Sequence, residues 1–375
     1  MIEKYYDGAL EQVAAGLGTV EKNHLLVRYS GQFSVENLND TKQLEKNEDI
    51  FVQVHEFETG EITCAYEPYL TTICDGFRRY MTGTFEEFME TCDVYYLHRP
   101  VLLGYFNQDN TGREEIILLD EVAYEQERML AALERMLCAI ADRHPVLFVL
   151  NRFQLASKST MQLTARFLKC ENCNIGLVLG VSDIQAMPEF LVPDWEMLYE
   201  TLDDGSKIYH IGNSGRKKEE TIDDEKYVDY GSEKVYRKLQ NMVEFLDFDQ
   251  AAYYLETIDR KIKFDNLLVD DAARFRMWLL FVKVSILRQD IPKALEICED
   301  LEKIHLAGKE EECAYEQDYL IATAYMYQGK LKEALEMAGE TYRIAGKMSD
   351  DYRMFLSELL EAKIQMSGWY NIFFC

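Results

Sequence analysis

The chain has 375 residues, a formal net charge of -27 and a pI near 4.6. A surface this acidic repels nucleic-acid phosphate and anionic lipid, so neither is expected as a partner. With 48% hydrophobic and 12% aromatic residues the composition is not that of a disordered chain, and it supplies enough apolar mass for two or three domains.

No apolar run is long enough to span a bilayer, and no secretory leader is expected. Nine scattered cysteines, an odd number, read as reduced thiols, and the expected location is cytoplasmic. In chain order, Tyr6, Leu10, Val13 and Leu17 recur at helical spacing in a lead-in helix over 1–22. His24–Tyr29 and Ile50–His55 read as strands, and Ala65–Leu70 leads into a helix through Phe77 and Tyr80. A second helix covers Phe85 to about Cys92. Residues 101–119 read as loops, marked by Gly104, Asn107, Asp109, Asn110 and Gly112.

The segment Glu121–Asp142 places Met129, Leu130, Leu133, Met136, Leu137 and Ile140 on one helical face. It feeds Pro145–Asn151, a short run without turn residues that reads as the central strand of a parallel sheet buried on both faces. A helix over 157–168, a buried strand Ile175–Gly180, helical Trp195–Leu202 and a strand Lys207–Ile211 follow. Strands alternating with helices over 24–211 predict a layered α/β domain over residues 1–213. The polar run 214–229 reads as a linker, and residues 230–375 as helices throughout.

Three segments of that second half align: Phe248-Asp249-Gln250-Ala251, Ile291-Pro292-Lys293-Ala294 and Leu331-Lys332-Glu333-Ala334. Each is expected to open the second helix of a pair, after a short polar turn. Ala322, Ala324, Tyr325 and Gly329 precede the third: small residues let helices approach, and glycine permits the tight turn. The spacing is about 40 residues rather than the 34 of an ideal tetratricopeptide repeat. Residues 230–375 nonetheless resemble that repeat family. Phe355–Cys375 reads as a further repeat stopped inside its second helix, with Gly368-Trp369 standing where Gln328-Gly329 turns.

With these elements placed, the first half resembles the nucleotide-binding domain of the signal-transduction ATPases with numerous domains, which join a P-loop domain to such repeats. The resemblance implies a phosphate loop G-x-x-x-x-G-K-[ST] after the first strand. There the chain has Gly31-Gln32-Phe33-Ser34-Val35-Glu36-Asn37-Leu38, in which only Gly31 matches. Glu36 stands at the second glycine, Asn37 at the phosphate-neutralising lysine and Leu38 at the magnesium-holding hydroxyl residue. Glu67-Pro68-Tyr69 resembles the segment after the phosphate-loop helix. The strand Val146–Leu150 resembles the one that ends in magnesium-binding acids, but Asn151 and Arg152 occupy those places. An amide carries no charge to hold the metal. Gln154–Thr160 parallels the loop into the following helix, and Val181-Ser182-Asp183 ends the next strand without a sensor arginine.

The implied cofactor-binding positions are therefore Gly31, Glu36, Asn37, Leu38, Asn151 and Arg152, all altered except Gly31. No catalytic or metal residue is assigned and no cofactor is expected, weak ATP or ADP binding being the exception a retained pocket would allow. The remaining constellations read as packing or surface. Cys170-Glu171-Asn172-Cys173 has no second pair nearby and lies between a helix and a strand, the wrong place for a redox pair. His55, Glu56 and Glu58 are far in sequence from His144 and His210, and nothing fixes the separation of Asp109, Glu114, Glu115 and Asp120. Tyr253-Tyr254 and Tyr325 with Tyr327 read as repeat packing, some of it lining a groove for a peptide.

The expected function is a non-enzymatic cytoplasmic signalling or regulatory scaffold that binds protein or peptide through its repeats, with self-association as a further mode. The alternatives are an ATPase with displaced ligands such as Asp183 or Asp203, or the sensory part of a larger output protein.

Overall fold

The structure is a computed structural model, and it describes residues 8, 10–11, 13–17, 24–29, 48–58, 60–108, 122–170, 173–182, 187–205, 207–211 and 229–373. The chain divides into two compact units. One gathers Met1–Ile117, Ala123–Val228 and Glu244–Asp247; the other Leu118–Val122, Asp229–Val243 and Phe248–Cys375.

The first unit is built on five strands, β1 (Leu25–Tyr29), β2 (Phe51–Glu56), β3 (Val146–Asn151), β4 (Ile175–Ser182) and β5 (Lys207–Ile211). They form one parallel sheet in the order β2-β3-β4-β1-β5. Every residue of β3 is buried. Its place differs from the expected centre: β3 lies second from one edge, between β2 and β4, and β4 takes the middle. Both strands read as continuous apolar runs because both lie inside a doubly covered sheet, where burial does not distinguish second from third position.

The two faces of the sheet carry different partners. Leu25, Val27, Leu147, Val149 and Val178 pack with Leu10 and Val13 of the helical stretch within 8–17. Gly176 permits this approach: a Cβ there would lie 2.7 Å from Val13 Cγ1. On the other face Phe148 meets Tyr69 edge-to-face at 4.8 Å, and Tyr69 meets Phe167 at 5.4 Å. These rings come from α1 (Tyr69–Tyr80) and from the later helix α5 (Lys158–Lys169). The Tyr69 hydroxyl and Thr164 Oγ1 lie 2.6 Å apart, which satisfies a fully buried phenol.

Between these elements run α2 (Phe85–Thr91), α3 (Arg99–Asn107) and α4 (Val122–Arg143). The helix α3 replaces part of the loop expected over 101–119. Pro100 sits in its first turn, where a missing N–H costs nothing, and Gly104 is buried within it rather than marking a turn. After β4 comes α6 (Val192–Gly205).

The second unit contains α7 (Glu233–Glu244), α8 (Phe248–Phe264), α9 (Asp271–Leu287), α10 (Ile291–Leu301), α11 (Glu310–Tyr327), α12 (Leu331–Met348) and α13 (Asp351–Phe373). The three aligned segments fall on the first turns of α8, α10 and α12, as expected. Ala251, Ala294 and Ala334, the fourth residue of each, are all fully buried. The backbone repeats too. Leu246, Gln289 and Gly329, each two residues before its helix, have φ of 66°, 62° and 79°. At the later two turns the following N–H closes on the preceding helix, Asp290 N to Ser285 O and Lys330 N to Tyr325 O, both at 2.9 Å. That is the Schellman termination, which needs the left-handed residue. Ser349 at φ 56° and Asp350 repeat it before α13.

Small residues set the packing of the last three helices: Ala322, Ala334 and Ala338 are buried against Leu360 and Ile364. One expectation fails here. The helix α13 continues through Gly368 and Trp369 without a turn. A glycine inside a helix costs only about 1 kcal/mol against alanine, so the residue alone does not force a stop. No helix among the described residues is long and apolar enough to cross a membrane.

Candidate functional site at the carboxyl ends of the strands

Because all five strands are parallel, their carboxyl ends share one edge of the sheet. From β1 the chain travels to β2 at one margin of the sheet, and from β4 to β5 at the other. Adjacent strands whose connections leave in opposite directions make a topological switch point, the usual place for a ligand in an open parallel sheet. Here it lies at the ends of β1 and β4, where Tyr29 and Ser182 are register partners.

Of the sequence-derived positions, Gly31, Glu36, Asn37 and Leu38 lie outside the described residues, as does Asp183. Asn151 and Arg152 are described and stand together at the end of β3. Asn151 is fully buried, and its carbonyl accepts a hydrogen bond from Phe57 N at 3.1 Å, extending the ladder to β2. Arg152 turns the chain in the left-handed region, φ 51° and ψ 40°, into a short 3-10 turn, Phe153–Leu155. Its Nε lies 3.4 Å from Oε1 of Glu56, the residue opposite Asn151 in the β2–β3 register.

At the ends of β2 and β3 an arginine and a glutamate thus neutralise each other across neighbouring strands. Phe57 and Phe153 close beneath them edge-to-face at 6.1 Å. A magnesium site needs carboxylate oxygens with open lone pairs, and Glu56, the acid that ends β2, is paired with a guanidinium.

The segment after β3 is equally committed. Ser157 caps α5 by accepting from Thr160 N at 3.2 Å. Thr160 Oγ1 donates to Glu67 O at 2.9 Å, and Tyr66 N donates to Ser159 Oγ at 3.0 Å. The backbone N–H of Ser159 donates to the carboxylate of Asp247 at 3.1 Å, so the electropositive helix end already holds an anion.

Other constellations resolve into packing. His55 meets Phe57 edge-on, Glu56 faces Arg152, and His144 stacks on Tyr80 at 4.2 Å. Asp109, Glu114, Glu115 and Asp120 lie outside the described residues, and nothing is described of the side chains of Asp203 or His210. Two groupings escaped the sequence. His98 Nε2 lies 3.1 Å from Glu125 Oε2, both buried, while Arg128 donates to the other oxygen at 2.9 Å. Nothing in sequence spacing joins residue 98 to 125. The second is Cys138, which meets the Cys170 and Cys173 pair.

No family model matches the chain, and no curated protein or solved structure matches it.

Proposed function

We propose that this protein is a non-enzymatic regulatory binding protein, in which a degenerate P-loop-like α/β unit serves as scaffold and tetratricopeptide-like helices bind a protein partner. The observation that carries this reading is an apolar stripe on α13. Tyr352, Phe355, Leu359 and Met366 stand at i, i+3, i+7 and i+14, one face of a helix, and are exposed by 53%, 57%, 37% and 60%. Side chains of this kind scattered singly need no explanation; aligned along one helix they mark an interaction surface. Exposed Asp351 and Glu358 border the stripe, and the whole chain is strongly acidic. The occupant that fits is an amphipathic helix of a partner protein, apolar on one side and basic at its margins.

The scaffold role rests on Asn151 and Arg152. With a neutral amide in place of the metal acid and an Arg152–Glu56 pair beside it, hydrolysis lacks its charge. A Leu/Lys amphipathic model helix tests the binding surface. It should bind saturably to the full chain, and Phe355→Asp with Leu359→Asp should weaken that binding at least tenfold. Equal affinity for wild type and variant would remove α13 as the surface.

The switch point at β1 and β4 favours a second reading, in which a nucleotide is held without turnover. Titration calorimetry with magnesium and ATP or ADP separates the two: saturable heat supports the retained pocket, and a flat titration leaves the scaffold reading alone.

A further inference from the structure

The opposite edge of the sheet carries a chemistry that the carboxyl edge does not. Cys138 lies on α4, one helical turn beyond Glu134 and one before Asp142. Cys170 is the residue that ends α5, its N–H donating to Arg166 O at 3.0 Å. Cys173 follows at the C-x-x-C spacing and is buried, just ahead of β4. The carbonyl of Asn174 accepts from Val146 N at 2.9 Å, which ties this connection to the start of β3. Two chain segments far apart in sequence thus bring three sulfurs together, and all three Sγ atoms lie within 4.8 Å of one another.

We propose that Cys138, Cys170 and Cys173 form a three-thiolate metal site, with Zn²⁺ as its occupant. Zinc bound tetrahedrally at about 2.3 Å from each sulfur sets the sulfurs about 3.8 Å apart, within the observed limit. Soft thiolates select zinc over magnesium or calcium. Cys138 and Cys170 are half-buried, and three thiolates leave one of the four zinc positions for a further ligand. The ion would staple the end of α4 to the α5–β4 connection. It is independent of the carboxyl-edge reading, because the two sites lie at opposite ends of β3, about 17–20 Å of strand apart.

Cobalt titration of the reduced full chain, followed by zinc displacement, is the test. The expected result is one equivalent of Co²⁺ with a thiolate-to-metal charge-transfer band and the visible bands of tetrahedral cobalt, both abolished by zinc. Cys138→Ser and Cys173→Ser should each lose the band while keeping the far-ultraviolet circular dichroism of the wild type, and Cys313→Ser should keep it. Stripping zinc from the wild type should also lower its melting temperature. Absence of the band in the wild type would overturn the site without any variant, and so would a band that survives both Cys138→Ser and Cys173→Ser.

Discussion

The two units dispose of their polar and apolar surface in opposite ways. In the α/β unit, groups at the carboxyl edge of the sheet are turned on each other: Arg152 on Glu56, Asp247 on the first turn of α5, and the hydroxyls of Ser157, Ser159 and Thr160 on neighbouring backbone and side chains. In the helical unit, buried alanines draw helices together, yet α13 leaves an ordered apolar stripe in water. The difference is what the proposed binding role rests on. A surface whose charges are internally satisfied gains little from a ligand, whereas an exposed apolar stripe gains whatever a partner buries.

The contrast is broken most severely at β3. Phe148 is fully buried and ringed by Tyr69 and its neighbours, so Phe148→Ala should cost about 3–5 kcal/mol, read as a shift in the denaturant midpoint. A cost under 1 kcal/mol would mean that β3 is not inside a doubly covered sheet. The helical unit should respond to the opposite change. Ala338 is fully buried among Ala322, Ala334, Leu360 and Ile364, and Ala338→Leu overpacks that crossing by about 1–3 kcal/mol.

A pH dependence sharpens the comparison within the helical unit. Burial, and then the charges of Glu340 and Glu302, push the Asp318 carboxyl up to about 6. An acid whose folded value is raised holds its proton in the folded state where the unfolded chain has released it. Stability therefore falls as pH rises from about 4 through about 6, and the cost is fully present at neutral pH. Asp318→Asn should stabilise the chain by about 1–2 kcal/mol at pH 7, with the gain gone near pH 4. Urea melts of both proteins across that range check the sign; a gain that grows on acidification would contradict it.

How much of this was legible differs between the units for physical reasons. The strands could be read because a doubly buried strand has no polar positions: Val146–Leu150 and Ile175–Gly180 announce themselves. Their order could not, since which buried strand lies at the centre leaves no mark on composition. The repeats were legible through Ala251, Ala294 and Ala334, where only a small residue fits. The matching left-handed turns were visible only at Gly329, because Leu246 and Gln289 adopt the same φ without a glycine to signal it. Gly368 erred the other way, since it lies in a continuous helix. The Arg152–Glu56 pair and the third thiol, Cys138, join residues about 100 and about 30 positions apart, beyond any local pattern.

The smallest stability effect belongs to the stripe itself. Phe355→Asp should shift the denaturation midpoint by no more than about 0.5 kcal/mol, because more than half of Phe355 is already exposed. A large loss would show that the stripe is covered by the chain's own residues.

Steady-state phosphate release from magnesium and ATP by the purified full chain tests the central claim most directly. With Asn151 neutral and Arg152 facing Glu56, release should equal the buffer blank. Sustained turnover that falls in Asn151→Ala or Arg152→Ala would contradict it and return the α/β unit to the enzymes.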